Sequence, residues 1–213
     1  MGIFDKLFKP NIEEMKAKRD VDGLVKAIKH RDVDIRLGAI FELGEIGDRR
    51  AVEPLCEVVS DKKPSYARGA ACIALGKIGD ARAVKPLISF VKLGSSDPKY
   101  ATEALAKIGE PSVEPLIEAL PICWKKAKQR IAEALGEIGD KRAVEPLIKF
   151  LGYSGLYVGH MDNEGRRSIV RALRRIGDKR AIAGLEMACR DSAPIVRVAA
   201  NEALREVRAG AHT

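Results

Sequence analysis

Leu135-Gly136-Glu137-Ile138-Gly139-Asp140, followed at once by Lys141-Arg142-Ala143-Val144-Glu145-Pro146-Leu147, decides the fold, because the chain rewrites this string along its length. It recurs from Leu43 to Leu55 and from Leu75 to Leu87, and in weaker form from Leu105 to Leu116 and from Leu173 to Leu185. A degenerate copy opens at Leu204. The leading leucines stand 32, 30, 30, 38 and 31 residues apart. A period of that size marks an array of one supersecondary unit, each copy burying its apolar side against its neighbours.

Each unit reads as two helices, A and B, with the quoted string running from the end of one B helix into the next A helix. Glycine just past the last apolar residue, as in Ile46-Gly47, Ile78-Gly79, Ile108-Gly109, Ile138-Gly139 and Ile176-Gly177, takes the left-handed conformation that closes a helix. Asp48, Asp80, Asp140 and Asp178 come next, where a carboxylate caps the free N–H groups of the following helix. Pro54, Pro86, Pro115 and Pro146 fall near the start of that helix, where a missing N–H costs least. The expected A/B pairs are Val21–His30 with Val33–Ile46, Ala51–Ser60 with Ser65–Ile78, and Ala83–Leu93 with Lys99–Ile108. The remaining three are Ser112–Leu120 with Trp124–Ile138, Ala143–Leu151 with Arg166–Ile176, and Ala181–Arg190 with Ile195–Arg208.

Over roughly residues 20 to 208 these copies resemble the HEAT-like repeat of the phycobilisome (PBS) lyase type. The resemblance implies an all-α fold, an α-α superhelix of about six two-helix repeats, with A helices outside and B helices lining a concave face. It does not by itself imply lyase activity, because repeats of this type occur in many proteins without bilin chemistry.

Composition agrees with stacked hairpins. Aromatics make up only 5% of the 213 residues, and the small residues that let helices approach closely are common on the B helices. Cys56, Cys72, Cys123 and Cys189 form no C-x-x-C pair and follow no signal peptide, so the expectation is a reduced, cytoplasmic chain with buried structural thiols. No apolar run approaches the roughly 20 residues of a membrane span, which points to a soluble protein.

Three regions fall outside the regular repeat. Residues 1–19 are expected to form an amphipathic N-terminal segment, with Ile3, Phe4, Leu7 and Phe8 on one side of a short helix that Pro10 ends. Such a segment covers the free apolar flank of a first repeat, or lies on a membrane surface or a partner. The array proper spans 20–208, and 209–213 is a small, polar, frayed tail. Residues 152–165 hold an insertion of about seven residues in repeat five, where Tyr153, Tyr157 and His160 are candidates for a contact loop.

Register on the B helices separates core from surface. Counted from each repeat leucine, the positions eight and four before it and three after it are apolar, as in Ile35, Ala39, Ile46 and Val196, Ala200, Val207, which marks the buried stripe. A neighbouring ribbon, nine, six, five and two before and two after the leucine, changes character along the chain. In repeats one to three it carries Phe41, Tyr66, Ile73 and Tyr100, and later it carries Arg130, Arg167, Arg171 and Arg175. The ordinary alternatives are packing between neighbouring B helices for the aromatics and pairing with nearby carboxylates for the arginines. Arg36, Arg68, Lys128, Arg166 and Arg197, seven before the leucine, suggest a ladder of hydrogen bonds between repeats.

The net charge of +8 is concentrated in the C-terminal half, which admits nucleic acid or an acidic protein as a ligand. Acidic residues are plentiful, however, and no stacking aromatics interleave the cations. His30, His160 and His212 lie far apart, none is followed by Glu, and no metal-ligand spacing occurs, so no metal, cofactor or catalytic residue is assigned. The reading is a non-enzymatic scaffold whose B-helix face binds an unidentified partner protein through the eight ribbon residues just named. The alternatives are nucleic-acid or acidic-partner binding through the basic half, or a bilin-lyase-type chaperone or subunit. Oligomeric state stays open.

Overall fold

In a computed structural model the described residues are 10–61, 66–93, 98–152 and 162–210. The expected contact residues Tyr153, Tyr157 and His160, and the helix expected over the first nine residues, lie outside them. Among the described residues there is no strand, and thirteen α-helices follow one another.

A short helix, α1 (Ile12–Ala17), precedes six pairs: α2 (Val21–Ala27) with α3 (Val33–Ile46), α4 (Val52–Ser60) with α5 (Tyr66–Ile78), and α6 (Val84–Leu93) with α7 (Lys99–Ile108). They continue as α8 (Val113–Ala119) with α9 (Lys125–Ile138), α10 (Val144–Phe150) with α11 (Asn163–Ile176), and α12 (Ile182–Ala188) with α13 (Pro194–Ala209). Even-numbered helices are the A helices and odd-numbered ones from α3 are the B helices. Each B helix packs against its own A helix and against the B helices before and after it.

The helix boundaries follow local chemistry. Gly47, Gly139 and Gly177 close α3, α9 and α11 in the left-handed conformation, with φ of 72°, 75° and 67°. Asp48, Asp80, Asp140 and Asp178 each cap a single 3-10 turn, rather than the A helix directly, and that turn leads into the helix. The prolines occupy the third position of α4, α6, α8 and α10, inside the first turn, where no intrahelical bond is lost. Helix α11 starts within the stretch expected to be inserted, because Asp162 accepts a hydrogen bond from the Gly165 amide at 2.8 Å.

Leu43, Leu75, Leu105, Leu135 and Leu173 are fully buried and form the spine of one continuous core. Beside them runs a stacking rule that the sequence pattern states only in retrospect. A Cβ on Gly44 would come 2.9 Å from the Ala74 Cα, one on Gly76 2.8 Å from that of Ala104, and one on Gly136 2.7 Å from that of Ala172. The glycine after the repeat leucine thus lets the next B helix sit backbone to backbone, against the alanine before its own leucine. No side chain fits at that separation.

The first and last repeats depart from the rule. In α3 the alanine position is Glu42, which is buried and takes the Lys16 ammonium of α1 at 2.8 Å. Its second oxygen, Oε2, has no partner. Ile12 of α1 rests on Gly38, so α1 covers the flank of α3 that faces away from α5. At the other end Arg205 stands on α13 in the glycine position and is exposed, so the surface presented there is polar.

Two sets of arginines tie the array together, and they differ from the expected ladder. Arg36 donates to the His30 carbonyl at 2.7 Å, Arg68 to Val59 at 3.0 Å and Arg197 to Ser192 at 2.8 Å, all within their own repeat. They fasten a B helix to the end of its A helix or to the loop that follows it. Arg166, paired with Asp191 at 2.7 Å, Lys128, 5.9 Å from the centre of the Phe150 ring, and Arg68, whose guanidinium also lies 4.5 Å from the centre of the Phe90 ring, reach the next repeat. The inter-repeat ladder belongs instead to the arginine two residues after each capping aspartate. Arg82 donates to the Arg49 carbonyl and Arg180 to the Lys141 carbonyl, both at 3.0 Å, while Arg142 pairs with Glu110 at 2.7 Å and Arg50 with Asp22 at 3.4 Å.

Each of these arginines also holds its own capping aspartate. The Arg82 guanidinium and backbone N–H together pull the Asp80 carboxyl from the ordinary 3.8 to about 2, and the corresponding arginines lower Asp48, Asp140 and Asp178. Buried thiols move the other way. Burial pushes Cys56 up to about 11 and Cys72 to about 12, so neither carries thiolate at neutral pH.

Candidate functional site

The ribbon residues are surface, not core. Phe41 on α3 is 53% exposed, Tyr66 and Ile73 on α5 are 90% and 38%, and Tyr100 on α7 is 42%. Two of them are nevertheless held from one side. The Tyr100 ring lies over Gly69, where an added Cβ would meet it at 3.0 Å, and the Lys77 ammonium sits 4.8 Å from the centre of the Phe41 ring. A ring fixed on one side and open on the other is preorganised, because little side-chain freedom is left to lose on contact. Among the ribbon apolars, Tyr66 is the one left most free.

The arginine half is largely self-neutralised. Arg130 pairs with Glu133 at 2.9 Å, Arg167 with Glu164 at 2.5 Å and Arg175 with Glu137 of α9 at 3.6 Å. Those carboxylates stand at ribbon positions themselves. Arg171 is the exception: it is exposed and makes no ion pair among the described residues. The basic character seen in the sequence therefore reduces, on this face, to one open guanidinium flanked by paired ones.

Two clefts on the B-helix face fall where the stacking glycine is missing. Between α7 and α9 the position holds Ala106, and a cleft of about 50 Å³ is lined by Glu103, Arg130, Glu133 and Glu137. Between α11 and α13 it holds Arg174, and a cleft of about 350 Å³ opens between Arg167, Arg171 and Arg174 on one helix and Ile195, Val198 and Glu202 on the other. The close approach seen at Gly44, Gly76 and Gly136 leaves no room for a Cβ, and neither cleft has a glycine at this register. Arg174 turns instead to Glu202 at 3.3 Å and to Glu206.

Sequence reasoning missed Arg174, Ile195, Val198 and Glu202. The signal was present, since Ile195, Val198 and Glu202 stand nine, six and two residues before Leu204 and so fall on the same ribbon. The Gly-to-Arg change within the repeated string was the second clue. Among the described residues, no group of three or more His, Cys, Asp or Glu is placed to hold a metal ion. Nor is any of their helices long and apolar enough to cross a membrane.

A sequence model of HEAT repeats matches residues 21–106 and 113–205. The chain belongs to the HEAT-repeat family. A model of the PBS lyase HEAT-like repeat matches residues 98–120, around α7 and α8. Among solved structures, this HEAT-repeat protein is similar to an archaeal HEAT-like repeats protein from Thermococcus onnurineus NA1, at 14% identity and a TM-score of 0.59, over 93% of this chain and 91% of that one. It is also similar to an engineered protein, at 22% identity and a TM-score of 0.52, over 90% of this chain and 97% of the other. The complex of CpcE and CpcF of phycocyanin lyase from Nostoc sp. PCC7120 is a looser likeness, with 23% identity, a TM-score of 0.46, and coverage of 90% and 77%. At these identities the likenesses concern the fold alone. No curated protein matches the sequence.

Proposed function

We propose that this HEAT-repeat protein is a scaffold that works by binding rather than by catalysis, holding a partner protein on its B-helix face. The observation that carries the reading is the exposure of Phe41, Tyr66, Ile73 and Tyr100 along α3, α5 and α7, outside a core that is already closed. Large, preorganised aromatic groups supply much contact area at low entropic cost and dominate the energetics of protein interfaces. Around them Arg130, Arg167, Arg171 and Arg175 select the charge of the partner, with Arg171 the least committed. A stacked array presents such a face with little reorganisation, which favours affinity.

The test is affinity capture from a lysate of the source organism, with and without nuclease and at two salt concentrations, comparing the wild-type chain with the Phe41→Ala/Tyr100→Ala double variant. A discrete protein that survives nuclease and is lost with the double variant, while helicity and melting stay near wild type, supports the reading. Recovery that is indifferent to both substitutions overturns it. Recovery that disappears with nuclease and falls log-linearly with salt would reassign the face to nucleic acid.

A further inference from the structure

The cleft between α11 and α13 differs from the rest of the ribbon in uniting an open cation with exposed aliphatic surface. Val198 is 61% exposed and Ile195 37%, and they face a wall of Arg167, Arg171 and Arg174. Two of those three guanidiniums are already committed: Arg167 to Glu164, and Arg174 to Glu202 and Glu206. Arg171 makes no ion pair among the described residues.

We infer that this cleft binds a short segment of a partner protein that presents one carboxylate beside an aliphatic side chain. The inference rests on the reading of the B-helix face as a binding surface, but not on its aromatic half. Arg174 stands at the edge of the cleft, in the register that holds the stacking glycine where α5 meets α3.

The chemistry of the walls selects the occupant. A guanidinium accepts a carboxylate through two parallel N–H···O bonds, a geometry that a point charge lacks. Next to it, the Ile195 and Val198 side chains gain by being covered with apolar atoms rather than water. A polyanion fits less well, for three reasons. Glu164, Glu202 and Glu206 stand in or beside the cleft, so a chain of phosphates meets several carboxylates for the one open cation. No aromatic side chain lines the cleft on which a base could stack. The aliphatic wall would also be left uncovered. One carboxylate with an apolar neighbour satisfies both walls.

The experiment pans a displayed library of random heptapeptides against the immobilised full chain, then measures fluorescein-labelled copies of the enriched peptides by polarisation. The wild-type chain is compared with Arg171→Glu, Arg171→Gln, Val198→Asp and Phe41→Ala/Tyr100→Ala, and a fluorescein-labelled oligo(dT) is run in parallel. Because Arg171 and Val198 are exposed, these variants keep the wild-type melting curve, which is checked first. The expected result is enrichment of Asp or Glu adjacent to Leu, Ile or Val, with affinity falling about tenfold or more in Arg171→Glu and clearly in Arg171→Gln and Val198→Asp. The aromatic double variant binds these peptides like wild type, so loss of the lysate partner in that variant reports on the aromatic half alone. Failure to enrich any peptide, enrichment without the acidic–aliphatic pair, or binding indifferent to Arg171 overturns the inference. Oligo(dT) binding that depends on Arg171 overturns it in favour of nucleic acid.

Discussion

Where α3 meets α5, the glycine after the repeat leucine brings two backbones together, and a Cβ there would lie 2.9 Å from the next helix. Where α11 meets α13, the same register carries Arg174, and a cleft of about 350 Å³ stands in its place. Both junctions follow a buried repeat leucine and precede a capping aspartate, and they differ at the register just after that leucine. A solenoid can vary one junction locally, because each repeat contacts only its neighbours.

Substitution of the glycine is the strongest challenge to this comparison. Gly136→Val is expected to lose about 3 kcal/mol in a denaturant titration, because the new side chain must occupy space 2.7 Å from the Ala172 Cα and only a shift of the whole helix relieves it. A variant within about 1 kcal/mol of wild type, an ordinary surface change, would show that the close approach is not what stacks these repeats.

The first junction is irregular in another way and gives the next largest effect. Lys16→Ala leaves the buried Glu42 carboxylate without its cation and is expected to cost about 1 to 3 kcal/mol. Glu42→Ala restores the alanine found at this position in later repeats and removes an orphaned oxygen, so it costs less than Lys16→Ala. Equal losses in the two variants would mean that α1 is held by its apolar contacts alone.

A feature common to both junctions comes next. Asp80→Ala removes a cap and is expected to cost about 1 kcal/mol at neutral pH. The pH dependence has a definite sign. The folded Asp80 carboxyl titrates at about 2, below its ordinary 3.8, so its contribution is complete above that ordinary value and is lost as pH falls through the folded one. Melting temperature should thus decline below about pH 4, and less steeply in Asp80→Asn, whose amide cannot titrate. Identical acid profiles would remove the aspartate–arginine pairs from the account.

The smallest expected change is at the open junction itself. Arg174→Val places the same residue type at the same register as Gly136→Val, yet it gives up only exposed ion pairs to Glu202 and Glu206 and should cost less than about 1 kcal/mol. A loss matching that of Gly136→Val would mean that this register is packed as tightly beside the cleft as at the glycine junctions.

Much of this was legible in the sequence because repetition turns one local reading into six. Helix ends at Gly47, Gly139 and Gly177, caps at Asp48 and its equivalents, and the buried stripe through Ile35, Ala39, Val196 and Ala200 are decided by groups within a few residues of each other. The arginines show where that reach ends. Arg36 and Arg197 looked like links between repeats but bond within their own, Arg68 bonds within its own while its guanidinium also covers Phe90 of the next, and Arg82 and Arg180, hidden behind a capping motif, link repeats through backbone carbonyls. A periodic cation says that its environment repeats, not which of two equidistant carbonyls it will find.

The sequence by itself determined the architecture, the phase of each helix and the ribbon on which Phe41, Tyr66, Ile73 and Tyr100 stand, since each follows from spacing along a single chain. Only the tertiary structure decided which ribbon charges remain open and where the B-helix face is cleft. Both depend on distances between helices some 30 residues apart, where Glu137 reaches Arg175 and Arg174 reaches Glu202. Charge compensation and steric exclusion act through space, and a pattern read one helix at a time carries neither.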